Sequence, residues 1–138
     1  MDIDASAAAP GARALVIDDS NTIRRSAEIF LRQGGHEVVL AEDGFDALAK
    51  IADHAPDLIF VDIMMPRLDG YQTCALIKKN PRLKATPVIM LSSKDGLFDR
   101  ARGRLAGSDE YLTKPFTKES LLRSVANYTN GRPASTND

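Results

Sequence analysis

Three aspartates stand at the ends of two apolar segments, where acidic side chains could do chemistry. Asp62 closes segment 58–61 (Leu-Ile-Phe-Val), and Asp18 and Asp19 follow segment 14–17 (Ala-Leu-Val-Ile). Each segment predicts a buried strand, so each acid is expected where the chain leaves the core. In an open parallel sheet, ligands bind outside the carboxyl ends of the strands. The sequence therefore predicts that these carboxylates lie at a binding site.

Two other polar residues follow later apolar segments. Ser92 comes directly after segment 88–91, and Lys114 comes shortly after segment 110–112. Each feature alone has an ordinary explanation, since Asp-Asp-Ser often caps a helix and a lone aspartate often forms a turn. Their joint occurrence at the ends of four predicted strands favours a functional site.

A cation is expected at this site. Three carboxylates held close together repel one another and stay ionised only when a positive charge compensates them. Oxygen ligands without nearby histidine or cysteine favour a hard ion, and Mg²⁺ is the predicted cofactor.

Strand and helix patterns alternate along the chain. Strands are predicted over residues 14–17, 38–40, 58–61, 88–91 and 110–112. Helices are predicted after Ser20 and Asp43, and over about 70–79, 95–105 and 117–128. The second helix carries Phe45, Leu48 and Ile51 at helical spacing.

This alternation predicts an α/β fold, in which a doubly wound, five-stranded parallel sheet carries helices on both faces. Right-handed crossovers are expected. Alternation alone leaves the strand order open. If the order is 2-1-3-4-5, strands 1 and 3 are neighbours, and Asp18 and Asp19 meet Asp62 at the switch point.

Composition restricts the class of protein. The chain has 138 residues and a formal net charge of -1, which favours one domain and gives no indication of nucleic-acid binding. We expect a flexible leader over 1–11, a folded domain over 12–129 and a flexible tail over 130–138.

The one cysteine, Cys74, permits no intrachain disulfide. No apolar run approaches the roughly 18 residues of a membrane span, so we expect a cytoplasmic protein without membrane insertion. His36 and His54 lack partners at ligand spacing and are expected on the surface.

Four stretches of sequence carry a family resemblance. They are 16–20 (VIDDS), 61–70 (VDIMMPRLDG), 87–94 (PVIMLSSK) and 111–116 (YLTKPF). In this order and spacing they resemble the response-regulator receiver domains of two-component signalling, which have the fold of the chemotaxis response regulator. Segments 43–48 and 90–99 most resemble the stand-alone receivers of type IV pilus, or twitching-motility, chemosensory systems.

The resemblance implies a flavodoxin-like strand order, 2-1-3-4-5, and a phosphoacceptor at Asp62. It also implies that Asp19 and Asp62 bind Mg²⁺, that Asp18 acts mainly through water, and that the backbone carbonyl of Met64 supplies another ligand. The implied phosphodonor is a histidine kinase of the chemotaxis type. The implied output is a downstream protein target, and the subfamily resemblance implies that this target belongs to the pilus machinery.

The resemblance also assigns the remaining polar residues. Lys114 pairs with phosphoryl oxygens, and a cis peptide between Lys114 and Pro115 is a family feature. Ser92 hydrogen-bonds the attached phosphoryl group, and Tyr111 fills the space that Ser92 leaves. An output surface on the fourth helix, fifth strand and fifth helix is implied, with these residues: Lys94, Phe98, Arg102, Tyr111 and Lys118.

The sequence favours a signalling module that turns over no external metabolite, and two other functions are alternatives for an aspartate-based site. A phosphohydrolase with an aspartyl nucleophile, similar to haloacid dehalogenases, would carry a second acid two residues after the nucleophile. That position is Met64, which argues against this class. A phosphorylation-independent receiver typically lacks the acceptor, the acidic pair or the lysine, and all of these are present here.

Overall fold

The computed structural model describes residues 11–93 and 97–130. The predicted leader and tail therefore lie almost entirely outside the described residues. The strands are β1 (Arg13–Ile17), β2 (Glu37–Ala41), β3 (Leu58–Asp62), β4 (Val88–Ser92) and β5 (Glu110–Thr113). They pair in parallel in the order β2-β1-β3-β4-β5. The predicted α/β class and strand order are confirmed. Several strands run one residue further than predicted, so that Asp62 and Ser92 are the last residues of β3 and β4.

Five α-helices connect the strands. They are α1 (Asn21–Gln33), α2 (Gly44–His54), α3 (Gly70–Lys79), α4 (Leu97–Ala106) and α5 (Lys118–Val125), with a short 3₁₀ turn at Pro81–Leu83. Side-chain oxygens of Ser20, Asp43, Asp69 and Thr117 accept a backbone hydrogen bond at the starts of α1, α2, α3 and α5. The last predicted helix ends earlier than expected, because Ala126–Asn130 form a π-helical turn. None of the described helices combines the length and apolar character needed to cross a membrane.

The core has two layers, one on each face of the sheet. In β3, Ile59 and Val61 face one layer, whereas Leu58 and Phe60 face the other. The first layer is built from residues of α2, α3 and α4, and the second from residues of α1 and α5. All five residues of β3 are buried, as expected for a central parallel strand covered on both faces.

Phe45, which the sequence places on α2 at helical spacing with Leu48 and Ile51, does not share the inner face that those two residues occupy. Its side chain is 56% exposed, whereas Ala47 and Ile51 are buried. The inner face of the first turn is set by Gly44, where an added Cβ would lie 2.7 Å from Leu68 and 2.4 Å from the Thr73 hydroxyl. Phe45 lies about 100° around the helix from Gly44 and so faces solvent.

Candidate functional site

The predicted acids meet at the carboxyl edge of the sheet. Asp18 follows β1 and Asp62 ends β3, and these strands are neighbours. One carboxylate oxygen from each of Asp18, Asp19 and Asp62 lies within 4.8 Å of the others. The site is therefore at the topological switch point of a doubly wound sheet, where such folds bind ligands.

The three acids differ in exposure. Asp18 is fully buried and Asp62 is 5% exposed, whereas Asp19 is exposed. Asp18 is held by its own loop, since its Oδ1 accepts a hydrogen bond of 2.9 Å from the Ser20 amide. Ser20 in turn caps α1 through its hydroxyl. The turn from β1 into α1 therefore holds one acid inside the protein and leaves the next at the mouth of the site.

Lys114 joins the two buried acids. Its Nζ lies 2.9 Å from Asp18 Oδ2 and 2.9 Å from Asp62 Oδ1. The Lys114 amide donates to the Ser92 carbonyl at 2.6 Å, which ties the β5–α5 loop to the end of β4. The Lys114–Pro115 peptide is cis. Because the lysine side chain is only 16% exposed, its charge acts in a partly desolvated site.

The site contains more negatively charged groups than positively charged ones. Burial raises the pKa of Asp62; the hydrogen bond from Lys114 opposes this, and the charges of Asp18 and Asp19 add to the rise. Burial alone would lower the pKa of Lys114, but its hydrogen bonds to Asp18 and Asp62 outweigh burial and raise it. One ammonium group thus faces three carboxylates. The donor set consists of hard oxygens, which fits a hard divalent cation.

Gly70 allows α3 to begin directly against the strand that carries Asp62. The Gly70 amide donates to the Ile63 carbonyl at 2.9 Å. A Cβ at this position would lie 2.3 Å from the Asp62 carbonyl oxygen and 2.7 Å from Ile63 Cα. These are backbone atoms that cannot rotate away, so the close approach requires glycine. The side chain of Met64, in the intervening loop, is 69% exposed.

The sequence and fold of this chain match a known protein family. The family described as "Response regulator receiver domain" matches residues 14–126. The chain belongs to this family. Its members are signalling proteins, and membership implies a histidine kinase as phosphodonor and a downstream target.

Individual relatives agree with this membership. Protein PilG of Pseudomonas aeruginosa is 70% identical over 115 residues, covering 83% of this chain and 85% of PilG. The structure of chemotaxis protein CheY4 of Vibrio cholerae aligns with a TM-score of 0.82 at 32% identity, covering 86% of this chain and 98% of that one. The receiver domain of the sensor histidine kinase PA1611 of Pseudomonas aeruginosa aligns with a TM-score of 0.79 at 30% identity, covering 86% and 97%; that structure has a magnesium ion in its active-site cleft.

Ser92 and Tyr111 lie on one side of the receiver's sheet. Ser92 is 4% exposed, and Tyr111 is half-buried against the layer formed with α2, α3 and α4. In the β4–β5 register Tyr111 is opposite Met90, and Ser92 is two residues further along β4. Because side chains alternate along a strand, Ser92 and Tyr111 project to the same face.

The predicted output residues are not all found together. Lys94 lies outside the described residues, as does the side chain of Phe98. The guanidinium of Arg102 lies 4.3 Å from the ring centre of Tyr71, so this exposed residue faces α3. Lys118 is half-buried at the start of α5.

Arg100, which the sequence did not single out, contacts Tyr111, the predicted switch residue. Its guanidinium lies 4.9 Å from the ring centre of Tyr111. The sequence carries arginines at 100, 102 and 104 of α4 with nothing to distinguish them. Which of them reaches Tyr111 depends on the rotation of α4 about its axis.

Proposed function

We propose that this receiver accepts a phosphoryl group on Asp62 from a histidine kinase of the chemotaxis type and then changes its binding to a downstream protein. The observation that carries the proposal is the placement of Lys114 Nζ, 2.9 Å from both Asp18 and Asp62 in a cluster of three carboxylates. Phosphoryl transfer needs positioning and charge neutralisation more than covalent assistance, and this edge of the sheet supplies both.

Asp62 is the proposed nucleophile. Lys114 donates to its Oδ1, and within residues 11–93 and 97–130 no hydrogen bond to Oδ2 is seen. Attack by a carboxylate oxygen on phosphorus forms an acyl phosphate, while the bond from phosphorus to the kinase histidine breaks and its electron pair returns to the imidazole. Lys114 neutralises charge on the phosphoryl oxygens as they approach.

Asp19, Asp62 and the Met64 carbonyl are the proposed direct ligands of Mg²⁺, and Asp18 acts through a water molecule. When bound, the ion adds positive charge against the phosphoryl oxygens. The exposed position of Asp19 suits this role, because Mg²⁺ keeps several waters and therefore favours a solvent-facing site.

A signalling role is favoured over an enzyme that hydrolyses external phosphate esters. The residue two positions after Asp62 is Met64, an apolar and exposed side chain that cannot act as a general acid or base. The acceptor, the acidic pair and the lysine are all present, which also disfavours a receiver that works without phosphorylation. We propose that the protein catalyses only its own phosphorylation and dephosphorylation.

The proposed switch couples Ser92 to Tyr111. Ser92 would turn its hydroxyl toward the phosphoryl group, and Tyr111, on the same face of the sheet, would move into the vacated space. Arg100 would then lose or change its contact with the Tyr111 ring. This gives α4, β5 and α5 two arrangements that a partner can distinguish.

Pilus-based motility is the proposed setting. It is supported by the resemblance of segments 43–48 and 90–99 to twitching-motility receivers and by the 70% identity to PilG. The proposed target is therefore part of the pilus machinery, the proposed location is the cytoplasm, and the proposed receiver unit spans 12–129.

Labelling with a radioactive small-molecule phosphodonor in the presence of Mg²⁺ tests the proposal. Wild-type protein should incorporate phosphate in a form that hydroxylamine releases, as expected of an acyl phosphate. Asp62→Asn should abolish incorporation, whereas Asp69→Asn, at the cap of α3, should retain it. Undiminished labelling of Asp62→Asn would place the acceptor elsewhere. Rapid turnover of phosphate esters by the wild type would favour the hydrolase.

A further inference from the structure

An open groove lies between α2 and α3 at the opposite edge of the sheet from Asp62. Its volume is about 300 Å³. Most of its lining residues are apolar, among them Leu48, Ile51, Leu76 and Leu83, although polar atoms contribute almost half of its exposed lining. Leu76 is 40% exposed although it lies on a helix that packs against the core. The molecule therefore presents a concave apolar strip between two helices.

The rim on the side of the groove formed by the end of α3 and the segment after it is basic, whereas the exposed Asp57 follows the lining residue Pro56 at the start of β3. Residues 70–94 contain no aspartate or glutamate. Three exposed cations lie at the end of α3, in the 3₁₀ turn and directly after that turn: Lys79, Arg82 and Lys84. None of the three forms an ion pair with another described residue, and Arg82 itself lines the groove.

Lys78, in contrast to these three cations, has a structural role. Its Nζ donates to the carboxylate of Asp109 and to the carbonyls of Lys84 and Thr86, and it holds the end of α3 against the strands. The three rim cations are thus not required to neutralise acids within the described part of the fold.

We propose that this groove binds an acidic amphipathic helix of a partner protein. A helix with leucine-type residues at i, i+3, i+4 and i+7 buries that stripe in an apolar groove, and acids flanking the stripe would face the basic rim. Charge complementarity of this kind selects partners and steers their approach. A second copy of this chain, docked symmetrically, would instead bring two basic rims together.

The groove lies far from Asp62, so binding of a partner at the groove should not depend on phosphorylation of Asp62. Its lining residues Pro56 and Thr86 precede β3 and β4, whereas Asp62 is the last residue of β3. The length of β3 separates the two sites, about 13 Å at 3.3 Å per residue. A partner in the groove can therefore hold the receiver in place without covering Asp62 or the face formed by α4, β5 and α5.

Peptide titration of the full chain, followed by ¹⁵N NMR, tests this proposal. The probes are synthetic amphipathic peptides of about 16 residues, long enough to form a helix, with a leucine stripe and flanking glutamates in several registers. Matched peptides carry lysine in place of glutamate. We expect saturable shifts at the amides of Leu76, Arg82 and Leu83, and binding of the glutamate peptides at least about tenfold tighter than that of the lysine peptides.

Four variants sharpen the test. Arg82→Glu should remove or reverse the preference for glutamate peptides, and Leu76→Gln should weaken binding about tenfold through the lost apolar contact. Arg25→Glu, at a 74% exposed side chain on α1, should change neither result. Asp62→Asn should bind like the wild type, because the groove is remote from the acidic site.

Several results would overturn the proposal. One is the absence of groove shifts up to about 1 mM peptide, and another is equal affinity for both peptide sets. Groove shifts that change on dilution without peptide would show that a second copy is the occupant. Groove shifts caused by deleting residues 1–10 would assign the groove to the chain's own N-terminal segment.

Discussion

Lys114 donates a hydrogen bond of 2.9 Å to Asp62, although 52 positions separate the two residues in the chain. The same ammonium group lies 2.9 Å from Asp18. These contacts join the ends of β1 and β3 to the loop after β5, which lies two strands away from β3 in the sheet. One side chain therefore closes the carboxyl edge of the sheet and supplies positive charge to its acids.

Lys114→Ala should destabilise the protein in the absence of divalent metal. Removing one partner of a buried ion pair leaves carboxylates uncompensated, and we expect a loss of about 3 kcal/mol in the free energy of unfolding. Added Mg²⁺ should stabilise the variant more than the wild type, because the ion replaces the missing charge. Urea denaturation with EDTA and with Mg²⁺ measures both effects. Lys79→Ala, at an exposed lysine, is the control, and equal responses to Mg²⁺ would contradict this account.

Asp19→Ala and Asp69→Ala should separate metal binding from helix capping. Asp19 belongs to the carboxylate cluster, so its loss should weaken Mg²⁺ binding at least about tenfold. Asp69 instead caps α3, where it accepts from the Gln72 amide at 2.8 Å, so its loss should cost about 1 kcal/mol of stability. Calorimetric titration with Mg²⁺ and urea denaturation give the two readouts. Normal Mg²⁺ affinity in Asp19→Ala would remove this residue from the site.

Local patterns in the sequence predicted the α/β class and the polar edge of the sheet, whereas the meeting of Asp18 and Asp19 with Asp62 also required the strand order. Short segments of three or four residues predicted the strands, and the polar residues after them predicted one edge of the sheet. The order of the strands came from the family resemblance, since alternation of strands and helices is compatible with more than one order. The sheet confirms both inferences.

Side-chain partners across helices could not be predicted in the same way. Arg100 contacts Tyr111, and Arg102 contacts Tyr71, because of how α4 is rotated. Phe45 faces solvent because Gly44 brings the start of α2 close to Leu68. These outcomes depend on packing between elements that are distant in sequence. The periodicity of apolar residues within one segment does not predict such packing.

Gly70→Ala should disturb the site without removing any of its functional groups. The added methyl group would meet the Asp62 carbonyl oxygen at 2.3 Å, so either α3 or the end of β3 must move. We expect a loss of about 2–3 kcal/mol in the free energy of unfolding, together with weaker Mg²⁺ binding. In Gly103→Ala the nearest atom is the Ser108 hydroxyl at 3.1 Å, which can rotate, so its stability should change by less than about 1 kcal/mol. Unchanged stability and Mg²⁺ affinity in Gly70→Ala would show that the close approach is not required.

His36 should make stability depend on pH. It was expected on the surface, but its ring is half-buried and Nδ1 accepts a 3.0 Å hydrogen bond from the Ala12 amide. Burial lowers its pKa from the ordinary value of 6.5. The unfolded chain therefore takes up a proton at a higher pH than the folded protein, so stability is full above pH 6.5 and falls as the pH decreases below it.

Urea denaturation at pH 7.5 and pH 5.5 measures this dependence, with His36→Gln compared with the wild type. The wild type should lose about 0.5 kcal/mol more than the variant over this interval, a small amount because solvent screens a half-exposed ring. Protonation of Nδ1 would also break the bond from the Ala12 amide, which joins the residue before β1 to the turn between α1 and β2. His54→Gln, at the other and exposed histidine, should behave like the wild type. If His36→Gln retains the full difference between the two pH values, other groups control the pH dependence.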